Sequence, residues 1–164
     1  MVKEGKKTIL LVQPIDAIIG DQSMIIANST ENGHSTENEL MDEMTKNGRV
    51  LAYGHNSESF EITAFGEKAD PGQLAIIAAI KQKKKLKVWE VCLVANELGT
   101  YDSIFAYCFV ESVEKSNGDS FQEVTATLQV EGESQEGTLT MLPAAATAQS
   151  SYDFEAAGET GTPV

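Results

Sequence analysis

The sequence predicts a mainly β domain: two packed antiparallel sheets, sandwich- or barrel-like, with one flanking α-helix, a long loop and a flexible C-terminal arm. Three features point there. Ser57 to Phe65 alternates strictly, with Phe60, Ile62 and Ala64 on one face and Ser59, Glu61 and Thr63 on the other, the period of a half-buried strand. Leu86 to Val94, Ser103 to Glu114 and Val124 to Val130 are rich in β-branched and aromatic residues, which suit a pleated surface. Only the stretch after Asp70 and Pro71 has the chemistry of a helix start. With 164 residues, 41% of them apolar, the chain can support one core burying roughly 68–70% of its unfolded surface.

In chain order, Thr8 to Val12 is a short apolar strand stopped by Pro14, which offers no backbone donor. Ile15 to Ile19 and Met24 to Ala27 are expected as further short strands around a Gly20-Asp21 turn. Asn28 to Gly48 is dominated by Asn, Ser, Thr and Glu with few apolar anchors, and is expected to be the long loop; excursions of this length inside a compact domain are functional or disordered. Asp70 can accept from the free amides of a first helical turn, Pro71 suits the first position, and Gln73 can reach back in a capping box. The helix is expected over about residues 70–85, with Leu74, Ile77, Ala78 and Ile80 as its apolar stripe. Asn117 and Gly118 predict a two-residue type I′ hairpin turn, and Thr138 to Leu142 a last strand before Pro143. Residues 1–143 form the β domain. Residues 144–164 hold too little apolar mass to fold alone, apart from Tyr152 and Phe154, which suggest an arm that docks on another subunit.

Charge is unevenly placed. Residues 1–87 hold 12 acids and 11 bases, and residues 88–164 hold 13 acids and one base, Lys115, so the second half supplies almost all of the net charge of −13. Such a surface repels nucleic acid, whose binding depends on cations that displace condensed counterions; it also serves plain solubility. Five lysines, Lys81, Lys83, Lys84, Lys85 and Lys87, crowd the expected helix exit. They compensate the negative end of the helix dipole, and could also meet the acidic half of a neighbouring subunit.

No catalytic, metal or cofactor signature is found, so neither an enzyme nor a cofactor is expected. Gly132 to Gly137 has phosphate-loop spacing without the lysine and lies between strands. His34 and His55 have no Cys or His at a metal-ligand interval and are expected in loops. The pairs Asp42-Glu43 and Glu131-Glu133 lack the pattern of a calcium loop. Cys92 and Cys108, within strand-like runs, are expected as buried reduced thiols rather than a disulfide or redox pair. The chain has no apolar run of about 18 residues and no basic-then-apolar leader, so no membrane span or signal peptide is expected.

The segments NELMDEMTKNGRVLAYG (Asn38 to Gly54), GEKADPGQLAI (Gly66 to Ile76), KLKVWEV (Lys85 to Val91), YDSIFAYCFVESVEKSNG (Tyr101 to Gly118), TATLQVEGESQEGTLTMLP (Thr125 to Pro143) and YDFEAAGETG (Tyr152 to Gly161) resemble, in order and spacing, the major tail proteins of long, non-contractile-tailed bacteriophages. The resemblance runs from about Lys6 to the end. It implies a structural subunit of the virion tail, made in the host cytoplasm, whose hexameric rings stack into a tube with an acidic lumen for DNA. Implied partners are other copies of the chain, the tape measure protein, tail-tip and tail-terminator proteins, and passing DNA. The family's long loop and C-terminal arm reach the next ring, a role that falls here to Asp42, Glu43, Lys46, Asn47 and Arg49, and to Tyr152 and Phe154. Two other classes fit the composition: the tube protein of a contractile injection or secretion machine, and a monomeric β-sandwich binding module.

Overall fold

A computed structural model describes residues 2–147, 154 and 156–158. A single 3₁₀ turn (Gly5–Lys7) leads into β1 (Thr8–Pro14), β2 (Met24–Ile25), β3 (Ser29–Asn38), β4 (Met41–Thr45), β5 (Gly48–Ala52) and β6 (Asn56–Phe65). Helix α1 (Pro71–Gln82) follows, then β7 (Leu86–Cys92), β8 (Tyr101–Ser116), β9 (Glu123–Val130), β10 (Gln135–Leu139) and the one-turn helix α2 (Ala144–Thr147). All pairings are antiparallel. One eight-stranded sheet has the order β2-β1-β7-β8-β9-β6-β3 with β10 on β8, and β4 and β5 form a separate two-stranded ribbon.

Strand β8 joins two half-sheets. Its first half pairs with β7 along Ser103–Cys108 and, on its opposite side, with β10; its second half pairs with β9 along Cys108–Ser116. The register slips between Val110 and Ser112, leaving Glu111 as an extra residue, and such a bulge bends a strand and increases its twist. The half-sheets thereby curl toward one another. Leu10, Val12, Leu86 and Val88 from one half meet Phe60, Ile62, Ala126 and Leu128 from the other in a single buried cluster. Asn32 of β3 donates to the Thr8 carbonyl of β1 at 3.0 Å, linking the far edge of one half to the other.

Helix α1 lies against β1, β2 and β8. Asp70 caps it as expected, accepting from Gln73 N at 2.9 Å, and also accepts from Ala27 N at 3.1 Å. Gln73 does not complete a capping box. Its side chain accepts from Glu67 N and donates to the carbonyls of Ala27 and Phe65, tying the helix to both flanking strands. The buried stripe is Gly72, Ala75, Ile76 and Ala79, not the larger residues expected, and Leu74 is half exposed. Close packing explains this choice: a Cβ on Gly72 would lie 2.1 Å from the Ile25 carbonyl oxygen. Lys83 closes the helix in the left-handed region, its N–H bonded to the Ala79 carbonyl.

Further expectations are corrected. Ile15 to Ile19 form no strand but consecutive turns, because Ala17 N bonds Pro14 O while Asp21 ties back to Ile18 through both its backbone and its side chain. The expected long loop over Asn28 to Gly48 is β3, β4 and the ribbon tip. The β8–β9 hairpin exists, but residues 117–122 connect it and neither Asn117 nor Gly118 has positive φ. Phe121 instead packs on Phe65 with ring centroids 5.3 Å apart, and the Gln122 carbonyl accepts from Gly66 N, so the connection is held by a neighbouring strand end. The final strand is Gln135–Leu139. Ala144–Thr147 are helical, and most of the expected arm lies outside the described residues. Both cysteines are free; Cys108 is buried and Cys92 half-buried, and burial, with help from Glu58, pushes the Cys108 thiol up to about 12.

Asp70→Ala removes a helix cap, typically about 1 kcal/mol, and a second charge-assisted bond worth about 1.5–3 kcal/mol. A loss of about 2–4 kcal/mol in urea unfolding is expected, with partial recovery in Asp70→Asn.

Candidate assembly surfaces

The β4–β5 ribbon projects from the far end of the β3–β6 hairpin. At its neck Asn38 replaces missing ladder bonds: its Oδ1 accepts from Gly54 N and its Nδ2 donates to Gly54 O, each at 3.1 Å. Glu39 N donates to His55 O at 2.9 Å. A side chain at position 54 would collide with the Glu39 carbonyl, 2.0 Å from an ideal Cβ. The tip is Lys46-Asn47, with Gly48 at φ +121° and Thr45 Oγ donating to Gly48 O at 2.7 Å.

This ribbon carries five of the residues singled out by the sequence. Asp42 and Arg49 lie on one face and form a two-pronged ion pair at 2.8 and 2.6 Å, and the bond from Arg49 holds the Asp42 carboxyl below its ordinary range. Glu43 faces the other way, opposite Val50. Lys46 and Asn47 form the turn. The sequence reading missed that Met41, Met44, Val50 and Leu51 are spread over both faces and all at least half exposed, Met44 at 76%. Alternation on either side of Asn47-Gly48 was the signal for it. A two-stranded ribbon is marginal alone in water, so apolar groups on both of its faces suit a partner surface. Of the other two singled-out residues, Tyr152 lies outside the described residues and Phe154 is 94% exposed.

The second surface is the side of the half-sheet formed by β3, β6, β9 and the end of β8 that faces away from the core. Cross-strand rows read Gly33, Glu61, Thr127, Ser112 and Glu31, Thr63, Thr125, Glu114, flanked by Ser35, Ser59 and Gln129. The two central rows contain hydroxyls and carboxylates and no lysine or arginine; the flanking row ends at Phe109, with the Lys85 ammonium 5.7 Å from its ring centre. Both edges of this half-sheet are open: among the described residues β3 pairs only with β6, and β8 beyond Cys108 pairs only with β9.

On the inner side, His34 is not a loop residue. It stacks on Phe60 with centroids 4.7 Å apart and bonds Glu58 at 2.8 Å. Glu58 is buried and also accepts from Ser134 N at 3.1 Å and Ser134 Oγ at 2.6 Å, fastening the break between β9 and β10 to β6. Burial raises the Glu58 pKa, but the bonds from Ser134 and then His34 outweigh it, and the net shift is downward. His55 sits exposed at the ribbon neck. Glu131 pairs with Lys85 at 2.6 Å. Among the described residues no group of three or more His, Cys, Asp or Glu is placed to hold a metal ion, and no helix is long and apolar enough to cross a membrane.

The curled antiparallel sheet with its flanking helix and projecting ribbon has the fold of a phage tail tube subunit of known structure. Tail tube protein gp17.1* of Bacillus phage SPP1 is 38% identical over 159 residues, 95% of this chain and 60% of that protein. A protein of Staphylococcus phage phiMR11 assigned to the tail is 30% identical over 125 residues, 75% of this chain and 66% of that protein. The chain thus spans somewhat under two thirds of the length of these two relatives. The subunit in the hybrid NMR and cryo-EM structure of the SPP1 tail tube matches with a TM-score of 0.80 at 33% identity, covering 97% of this chain and 94% of that one. No protein-family model matches. The chain belongs to the tail tube proteins of siphophages.

A lowered carboxyl pKa stabilises the fold above the unfolded-state value and stops doing so as pH falls through the folded value. Glu58→Gln is therefore expected to cost about 1–2 kcal/mol at pH 7 and to flatten the loss of stability below the ordinary glutamate value of 4.5. Urea midpoints measured from pH 7 to 3 check this; parallel curves for the two proteins would rule it out.

Proposed function

We propose that this chain is the structural subunit of a siphophage tail tube, assembling into stacked hexameric rings around an acidic lumen through which DNA is delivered. The observation that carries it is the half-sheet β3-β6-β9-β8, which combines two open edges with a face whose central rows hold no basic side chain. Its strands alternate in direction, so β3 and β8 run oppositely. In a ring whose members are related by rotation, the open β3 edge of one copy can therefore continue antiparallel onto the open β8 edge of the next. Repetition closes the sheets into a barrel and removes the edges. The face turned away from the subunit core becomes its inner wall, where the carboxylates and hydroxyls of the central rows give DNA no cation to bind.

The ribbon bearing Asp42, Glu43, Lys46, Asn47 and Arg49, together with the arm bearing Tyr152 and Phe154, reaches the neighbouring ring. Partners are further copies of the chain, the tape measure protein during growth, and tail-tip and terminator proteins at the ends. A contractile machine is less favoured, because the sequence relatives belong to siphophage SPP1 and phage phiMR11. A monomeric binding module leaves the two-faced apolar ribbon unexplained.

Negative-stain electron microscopy of concentrated protein, with tail-tip and tape measure proteins supplied, is expected to show hollow tubes of uniform width; persistent monomers overturn the proposal. Thr125→Lys/Thr127→Lys tubes are expected to retain double-stranded DNA at low salt and release it as salt rises, while unmodified tubes retain none. A reconstruction placing this face on the tube exterior removes the lumen assignment.

A further inference from the structure

The turn between β7 and β8 is built as a rigid mount for one apolar side chain. Asn96 Oδ1 accepts from Leu98 N at 3.0 Å and Thr100 N at 3.1 Å, and its Nδ2 donates to Thr100 Oγ and Asp102 Oδ1 at 2.8 and 3.1 Å. Asn96 N and Gly99 N close the turn onto the carbonyls of Thr100 and Asn96, with Gly99 at φ +77°. At the tip stands Leu98, 87% exposed. A single exposed leucine is ordinary; one held by this many bonds has little conformational freedom left to lose on binding.

At the opposite end of the same ladder lies a cleft of about 230 Å³ between the end of β1 and the C-terminal half of α1, with Pro14, Ile15, Ala75, Ala78, Ala79 and Leu86 in its walls. Strand β7 starts at the cleft and runs toward the turn, so the two features are separated by at least its seven residues, roughly 20 Å at about 3.3 Å per residue. The ends differ in charge. Lys84 and Lys85 line the cleft beside Asp16, Lys84 paired with Asp16 and Lys85 with Glu131, and Lys81 and Lys83 add two further cations at the adjoining end of α1. The turn end carries Glu97, Asp102, Glu90 and Glu136 against Lys3 and Lys7.

We propose that Leu98 is a knob for head-to-tail contact between copies of this chain, seating in the α1–β1 cleft of the next copy along the tube, with Glu97 beside it meeting the lysines at the end of α1. A heterologous contact that also steps along the tube axis does not close on itself and propagates along that axis. It presupposes the stacked-ring assembly proposed above and adds a specific pair of surfaces to it.

The test uses the full chain with Cys92→Ala, carrying Leu98→Cys and Ala78→Cys. Because a disulfide needs Cα atoms within about 7 Å, oxidised tubes are expected to give a ladder of covalently linked chains on a non-reducing gel. Neither single cysteine variant should give one. Leu98→Asp is expected to raise the critical concentration for assembly about tenfold or more with an unchanged urea midpoint, while Leu98→Met stays within about threefold. Normal tubes without a ladder, or Leu98→Asp assembling like the unmodified chain, overturn the contact and leave the tube function standing. No tubes from the unmodified chain removes the function and this contact together.

Discussion

Every register in the main sheet is referred to β8. Sixteen residues long, it is the one strand shared by both halves, with β7 on one side and β10 followed by β9 on the other. Its bulge at Glu111 changes which residues face inward: Ala106 and Cys108 precede it with even numbers, and Val113 follows with an odd one. Without that extra residue the second half would present its polar set to the core, since a one-residue slip exchanges the faces of a strand. The bend and the parity change together let one continuous strand serve two layers around one core. Helix α1 can close this core because its contact stripe is made of glycine, alanine and a single isoleucine, which admits its backbone to close range.

The parts of the fold legible in the sequence were those whose physics is local. Phe60, Ile62 and Ala64 alternate because β6 has one apolar face and one polar face, and all three are buried. Asp70 and Pro71 specify a helix start whatever surrounds them. The stripe of α1 was misread because size was taken for burial. The helix buries its small residues to gain proximity, a demand set by Ile25 on a distant strand. Strand β3 was misread as a loop for a related reason. Its inward positions are Asn32 and His34, polar residues whose partners, the Thr8 carbonyl and Glu58, lie elsewhere in the chain. A strand with polar groups on both faces has no alternation to detect.

The candidate surfaces divide the same way. The acidic second half of the chain was visible as a count, but Glu31 and Glu61 come from the first half and reach the same rows only through the pairing of β3, β6 and β9. Asp42, Glu43, Lys46, Asn47 and Arg49 were found as a group because they are close in sequence. The methionines and aliphatics beside them were passed over, though exposed apolar side chains have more area to bury against a partner than a solvated ion pair has energy to contribute.

For the proposed assembly, a subunit with open strand edges and an apolar ribbon must still persist as a monomer beforehand. The chemistry of those edges explains how it can. The β3 edge is built from Ser, Thr, Asn, Gly, Glu and one His, so an unguided pairing there offers little apolar burial and brings Glu31 and Glu37 toward any other acidic strand. Pairing becomes favourable only where several weak contacts are made at once, because linked contacts raise one another's effective concentration. The ribbon is held at a fixed angle by Asn38 and Gly54, and the ordering cost of such a projecting element is met during folding of the subunit rather than during assembly. In the proposed tube, a ribbon ordered in advance, polar edges and an acidic face favour growth onto an existing ring, where all the contacts are presented together, over association of free subunits, where they are met one at a time.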